Sequence, residues 1–424
     1  MYGSHDVDSA DGLSRASLNA RNFLAGGVNS PIPTPSEYPK YVVSGEGPYI
    51  LDNAGNRYID LWMGYGALLR GHRDPVVEAA IGGVLHDGWF FSLPRVDEIE
   101  LSAVLHDLIP CAERVRFATT GSDAVLYAVR AARAYTGRHR IVVIRGGYHG
   151  AHLGNLPSAG MLPGNEEQFE WVAFNDLEAA QRVIASCDFA AILLEPVQAN
   201  NGCVPPESGY LEGLRRICSE TGTVLIFDEI VTGFRLGLGG AQGKFGVIPD
   251  ICTLSKAIAG GFPLSAVCGK KELLDQFTPS GKVLFAGTFN AHPVSLRVAL
   301  RNIASLQSEF PYDHMDDLGQ RLREHIRHTC TKYGLKVAVQ GVGSMLSIAF
   351  GVDHFRFGLS ETAWDGEAFA HFIQALAAKG VLYPPLPTET VFLSPAHESV
   401  FDHLEKAFSY AIEKVAERSD AAHS

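Results

Sequence analysis

From about residue 100 the chain alternates short apolar runs with stretches whose apolar residues recur every three or four positions. The runs at 141–144, 190–194 and 224–227 are apolar at every position, and those at 115–119 and 251–254 are mostly apolar, broken by Arg116, Thr119 and Thr253; strands buried on both faces read this way. Between them, 123–135, 177–186 and 211–221 carry helical spacing, and Gly137 and Gly222 stop the first and third of these. Crossovers of this length suit parallel strands, so the pattern predicts an α/β fold with helices on both faces of a largely parallel sheet. After about residue 300 the pattern changes to helices over 294–306 and 318–333, strands near 336–339 and 344–350, and a closing helix over 400–417. This predicts a second, smaller α+β unit. Ahead of the sheet, 49–51 and 57–61 flank the Asn/Gly-rich turn Asp52-Asn53-Ala54-Gly55-Asn56 and read as a hairpin. The segment Gly26-Gly27-Val28-Asn29-Ser30-Pro31-Ile32-Pro33-Thr34-Pro35 is too punctuated for helix or central strand and reads as an extended lead-in.

Composition narrows the function. Across 424 residues, 46% are hydrophobic and 19% charged, an ordinary globular balance. Thirty-five Lys and Arg against 47 Asp and Glu leave a net charge of −12, which disfavours nucleic acid and anionic membranes as partners. No window approaches the roughly 18 apolar residues of a membrane-spanning helix, and no basic-then-apolar signal opens the chain. The seven cysteines are scattered, with no Cys-x-x-Cys pair, which argues against a disulfide framework or zinc site and for reduced thiols in the cytoplasm.

Ligands of an open parallel sheet gather at the carboxyl ends of its strands. Thr119-Thr120-Gly121-Ser122-Asp123-Ala124 follows the first run, where a helix start offers free N–H groups to a phosphate or a plain cap to the helix. Gly146-Gly147-Tyr148-His149-Gly150 follows the second, and its aromatic ring can stack on a planar ligand or merely cover the sheet edge. His149 with His152 superficially resembles a metal pair, but nothing nearby completes a set, so no metal is expected. Asp228-Glu229 ends the fourth run, and a carboxylate there needs a partner for its charge. Ser255-Lys256 ends the fifth, with Gly260-Gly261 clearing space beside the lysine. Lys256 alone is as consistent with a structural ion pair to Asp228 as with a Schiff base. Phosphate cradle, stacking ring, ring-nitrogen carboxylate and Schiff-base lysine together are what pyridoxal phosphate (PLP) requires. The chain carries no Gly-x-Gly-x-x-Gly after a strand, no Walker A loop and no Gly-x-Ser-x-Gly elbow, which sets an NAD-dependent dehydrogenase far behind.

With those motifs in order, and with Gly71-His72, Ala134-Tyr135-Thr136-Gly137-Arg138, Glu195-Pro196-Val197, the run from Phe227 to Arg235, Gly287-Thr288-Phe289 and Glu389, the chain resembles the class III, fold-type I PLP aminotransferases, above all their glutamate-1-semialdehyde aminomutase branch. The resemblance implies a large domain over 66–305 built on a seven-stranded, mostly parallel sheet. It also implies a small domain over 306–424 and an N-terminal segment, 1–65, packing with the small domain. It implies that Lys256 carries the cofactor and shuttles protons, Asp228 keeps the pyridine nitrogen protonated, and Tyr148 stacks on the ring. Gly121 and Ser122 would hold the phosphate from one subunit and Thr288 from the other, so a homodimer with shared sites is expected; Asn200 would contact the ring hydroxyl.

The departures bear on substrate. Where the aminomutases follow Ser-Pro with Val-Arg, Ser30-Pro31 leads here to Ile32-Pro33, so the arginine for the substrate carboxylate is missing. Glu389 aligns with the acid facing that arginine and is free to meet a substrate ammonium. Tyr65 stands where a Trp is usual, and Ser255 replaces a glycine. Ser30, Tyr65 and Glu389 are therefore the candidate substrate residues. The expected enzyme moves an amino group from an amino-acid donor to a small-molecule carbonyl other than glutamate semialdehyde, such as an oxidised amino sugar or aminoglycoside, or a β- or ω-amino compound. A true aminomutase is the alternative, followed by a racemase or epimerase and, from another class, a silent scaffold. Arg70, Arg73, Arg95 and Arg235 are candidates for the donor carboxylate, each with ordinary ion pairing as its competing role.

Overall fold

The computed structural model describes residues 20–29, 32, 35–39, 41–84, 86, 88–153, 166–186 and 188–423. Its centre is a seven-stranded sheet of β4 (Arg114–Ala118), β5 (Arg140–Ile144), β6 (Phe169–Val172), β7 (Phe189–Leu194), β8 (Val224–Asp228), β9 (Ile251–Leu254) and β10 (Ser265–Gly269). The strands lie in the order β4-β10-β9-β8-β7-β5-β6. Pairing is parallel from β6 through to β9, while β10 runs antiparallel to both of its neighbours.

All six residues of β7 are buried, because both faces of the sheet are covered. Ile141, Val143, Ala191 and Leu193 pack with Ala124, Val125, Ala128 and Ala132 of the helix Gly121–Thr136. Their neighbours Val142, Ile144, Ile192 and Leu194 point to the other face, into a cluster holding Leu211, Leu214 and Cys218 of the helix Tyr210–Thr221. Gly137 and Gly222 close these helices in the left-handed conformation (φ 70° and 66°), as their positions predict.

Strand β10 is absent from the hydrophobic pattern because Ser265-Ala266-Val267-Cys268-Gly269 is short and weakly apolar. Its glycine neighbours also have a different task from the one expected. Gly260 and Gly261 (φ 54° and 100°) reverse the chain after Lys256 so that β10 can return between β9 and β4.

Two smaller sheets complete the fold. β1 (Val42–Glu46), β2 (Tyr49–Asp52) and β3 (Arg57–Asp60) contain the expected hairpin, and β13 (Val381–Leu382) joins β3 in parallel. β11 (Val337–Gln340), β12 (Met345–Phe350) and β14 (Val391–Phe392) form an antiparallel three-stranded sheet. On the helix Tyr312–Lys332, His325 Nε2 meets the Glu405 carbonyl and the Ser409 hydroxyl at 2.9 Å each. Among the described residues no helix is long and apolar enough to cross a membrane.

Candidate active site

The carboxyl ends of β4, β5, β7, β8 and β9 converge on one cavity of about 170 Å³. Gly121, Ser122, Tyr148, Gly150, Glu195, Asn200, Asp228, Ser255 and Lys256 line it with Ile230 and Val231. Sequence reasoning named most of these, and the topology brings them together because parallel strands release their loops on the same edge. Thr120 caps the helix Gly121–Thr136: Asp123 N–H donates to Thr120 Oγ1 (3.2 Å), and Thr120 N–H donates back to Asp123 Oδ2 (3.1 Å). The first N–H groups of the helix therefore open onto the cavity with a partial positive charge behind them. Gly150 (φ 79°) must be glycine, because a Cβ there would come within 2.7 Å of Ser122 Cα.

Asp228 is buried and has three partners. His149 Nδ1 lies 2.7 Å from Oδ2, while Ile230 N–H and Thr253 Oγ1 donate to Oδ1 at 3.2 Å. The ion pair with Lys256 considered from sequence does not form. Lys256, in a left-handed conformation (φ 48°), has no hydrogen bond or ion pair to a described residue. Burial lowers its ammonium pKa, and the carboxylates of Glu195, Glu389 and Asp228 oppose that shift. An amine kept free at a strand end, facing an acid fixed by other partners, is prepared for covalent chemistry.

His149 is fully buried, and its Nε2 has no partner among the described residues. The two histidines of the sequence pair go to separate carboxylates, His149 to Asp228 and His152 Nδ1 to Asp123 (3.2 Å). No cluster of three or more metal-ligating groups exists among the described residues.

Glu195 was legible only as part of a motif, yet it is central here. Oε1 accepts the Tyr148 N–H (3.1 Å), and Oε2 accepts the N–H of Ala199 (3.0 Å), the N–H of Asn200 (3.3 Å) and Asn200 Nδ2 (3.0 Å). Burial pushes its pKa up to about 7, with His149 opposing and Asp228 adding to the rise.

A second cavity of about 780 Å³ shares Tyr148, Asn200 and Lys256 with the first. Asn29, Ile32, Gly64, Tyr65, Gly146, Gly147 and Glu389 form the rest of its described lining. Tyr65 sits in a left-handed turn (φ 56°) with its ring edge-on to Trp62 at 4.9 Å. Burial raises the Glu389 pKa, against the pull of Lys256. Ser30 lies outside the described residues.

Thr288 is not at the lysine cavity of its own chain. It lines a third cavity of about 600 Å³ with Phe90, Phe91 and Arg116. None of the four candidate arginines lines either lysine cavity. Arg70 pairs with Asp74, Arg73 with Glu78 and Arg95 with Asp97. Arg235 has no carboxylate partner among the described residues; it donates to the Gly66 and Leu393 carbonyls and to Ser344 Oγ, and burial brings its pKa down to about 10.

The residues present fit PLP. A glycine cradle lies at a helix start, a buried carboxylate and a free lysine face one cavity, and an aromatic ring borders it. Fold and site thus define a cofactor-dependent transferase, and comparison with known proteins states which. The family model for class-III aminotransferases matches residues 34–415. A glutamate-1-semialdehyde 2,1-aminomutase of Saccharolobus islandicus is 38% identical over 403 residues, covering 91% of this chain and 94% of its own. An ω-transaminase from Sphaerobacter thermophilus superposes with a TM-score of 0.88 at 30% identity, covering 95% of this chain and 97% of that one. A transaminase with PLP bound superposes with a TM-score of 0.84 at 29% identity, covering 97% and 99%. The chain belongs to the class III, PLP-dependent aminotransferases.

Proposed function

We propose that the protein is an aminotransferase whose acceptor is a carbonyl compound other than glutamate semialdehyde, one that carries a second amino group. The observation that carries this reading is the outer cavity, whose described lining has one carboxylate, Glu389, and no arginine. An aminomutase substrate brings a carboxylate that needs a cation, whereas Glu389 favours an ammonium. Oxidised amino sugars or aminoglycosides meet that condition, and the carbonyl forms of β- or ω-amino compounds meet it where they carry a further amine. The resemblance to aminomutases at 38% identity keeps that activity as the second reading.

When bound, PLP supplies an electron sink for the pair left on the substrate carbon. The chain's own groups do the rest. The Asp228 carboxylate, steadied by His149 and Thr253, would hold a proton on the ring nitrogen. Tyr148 would cover one ring face, Asn200 would meet the ring edge, and the N–H groups at Gly121 and Ser122 would take the phosphate. Lys256 Nζ, its pKa lowered by burial, would take the proton from the substrate carbon and deliver it to the cofactor carbon. Thr288, remote from this cavity in its own chain, serves the site of a second copy in a homodimer. Six described cysteines are free and buried, which suits the reducing cytoplasm.

The test is spectroscopic. Holoenzyme is titrated separately with L-glutamate, L-glutamine and glutamate semialdehyde, alongside Lys256→Ala. An amino acid alone should convert the visible band to the near-ultraviolet band of the aminated cofactor, and semialdehyde should support no turnover. Semialdehyde turning over to 5-aminolevulinate, with the amino acids inert, would sink the proposal and leave the aminomutase. No visible band in the wild type would sink the enzyme.

A further inference from the structure

The acid at the end of β7 has no assigned task, although more donors converge on it than on any other group described at the inner cavity. Glu195 is 3% exposed and has no ion pair among the described residues. Its charge is held by four N–H bonds, and these fall into two arms. One arm is the backbone N–H of Tyr148, 47 positions earlier, on the loop that leaves β5. The other is the turn Ala199–Asn201, whose Asn200 is held both by its backbone N–H and by its side-chain amide.

We propose that Glu195 is a positioning residue that fixes the ring-stacking Tyr148 and the ring-edge Asn200 in one frame, so that a single carboxylate sets the face and the edge of the PLP site. This rests on the reading of Tyr148 and Asn200 as cofactor contacts. The physical case is the donor count. Each carboxylate oxygen serves a different arm, so a rotation that shortens one arm lengthens the other, and neither loop can shift alone. A protonated acid would have to turn its O–H against one of these N–H donors, so the geometry is built for the ionised form. Lys256 faces the same cavity and favours that form, as does His149 on Asp228, while Asp228 itself opposes it. Glu195 also leaves Asn200 Nδ2 committed, which aims the amide oxygen of Asn200 away from the acid.

Glu195→Gln is the sharpest probe, because glutamine has the same shape but one acceptor oxygen. It can serve one arm and must oppose an amide N–H to the other. Apo-protein is titrated with PLP, and the dissociation constant and visible circular dichroism of the bound cofactor are recorded with the apo melting temperature. The expected result is PLP binding weakened about tenfold or more, the equivalent of one lost charged hydrogen bond. A changed visible dichroism and a nearly unchanged melting temperature should accompany it. Asn200→Ala added to Glu195→Gln should cost less than the sum of the two, because both changes release the same arm. Wild-type affinity and dichroism in Glu195→Gln, or strictly additive losses in the double variant, would overturn the proposal. If Glu195→Gln does not fold, Glu195→Asp, which keeps the charge but cannot span both arms, must show the same losses in smaller measure. Wild-type binding by Tyr148→Ala and Asn200→Ala would instead overturn the underlying contact assignment, whatever Glu195→Gln does.

Discussion

His397 is a fully buried imidazole whose two nitrogens have fixed and opposite roles. Nδ1 accepts the Ser394 N–H (3.0 Å), and Nε2–H donates to the Asp60 carbonyl (3.0 Å), which selects the neutral ring. Burial brings its pKa down from 6.5 to about 4. Between those values the unfolded chain binds the proton and the native chain does not, so stability rises with pH through this window and is lost on acidification. Glu195 and Glu229, raised to about 7, act with the opposite sign, so the slope must be read as a difference. The stability advantage of the wild type over His397→Gln should shrink by about 3 kcal/mol between pH 6.5 and 4, measured by chemical denaturation. A constant gap would show that the ring is not held neutral. At this scale the sequence exposed Lys256, Asp228 and Gly121 because each stands at the end of an apolar run, where position alone announces a task. Glu195 and the partnership of His149 with Asp228 stayed hidden. They depend on residues 47 and 79 positions apart meeting, which no spacing encodes.

The helix Gly121–Thr136 ties local sequence to the site most directly. Thr120 Oγ1 donates to Asp123 Oδ2 (2.7 Å) as well as accepting from Asp123 N–H, and the Thr120 carbonyl accepts from Ser265 Oγ (2.7 Å) on β10. Thr120→Ala should cost about 1 kcal/mol of stability in chemical denaturation and, if the fraying turn is the one offered to the phosphate as proposed, weaken PLP binding several-fold. Lost stability with intact cofactor affinity would confine the cap to folding. The hydrophobic pattern misses Val96–Leu108 and Gly366–Ala377, and Tyr312–Lys332 begins six residues ahead of its predicted start, whereas Leu177–Ser186 and Tyr210–Thr221 were legible to within a residue because their apolar stripes are local. β6 and β10 were not. Phe169–Val172 is only four residues long and broken by Glu170, and Ser265–Gly269 is defined by the strands beside it.

For the molecule as a whole the open question is where Thr288 acts. It borders a cavity with Phe90 and Phe91, close to exposed Trp89, Leu93 and Phe289, an apolar surface of the kind that a second copy covers. If sites are shared, Lys256→Ala and Thr288→Ala chains complement each other. Mixing and re-equilibrating the two weakened variants should restore about a quarter of wild-type activity, because half the random dimers hold one intact site of two. No gain over the separate variants would place each site within one chain. The shared wall of Tyr148, Asn200 and Lys256 has its own consequence for traffic through the molecule. If the outer cavity admits both amino donor and acceptor, as the proposed function implies, each has to vacate it before the other enters. Turnover is then a queue of alternating guests, and an excess of either one stalls the enzyme by occupying the doorway when the other is due.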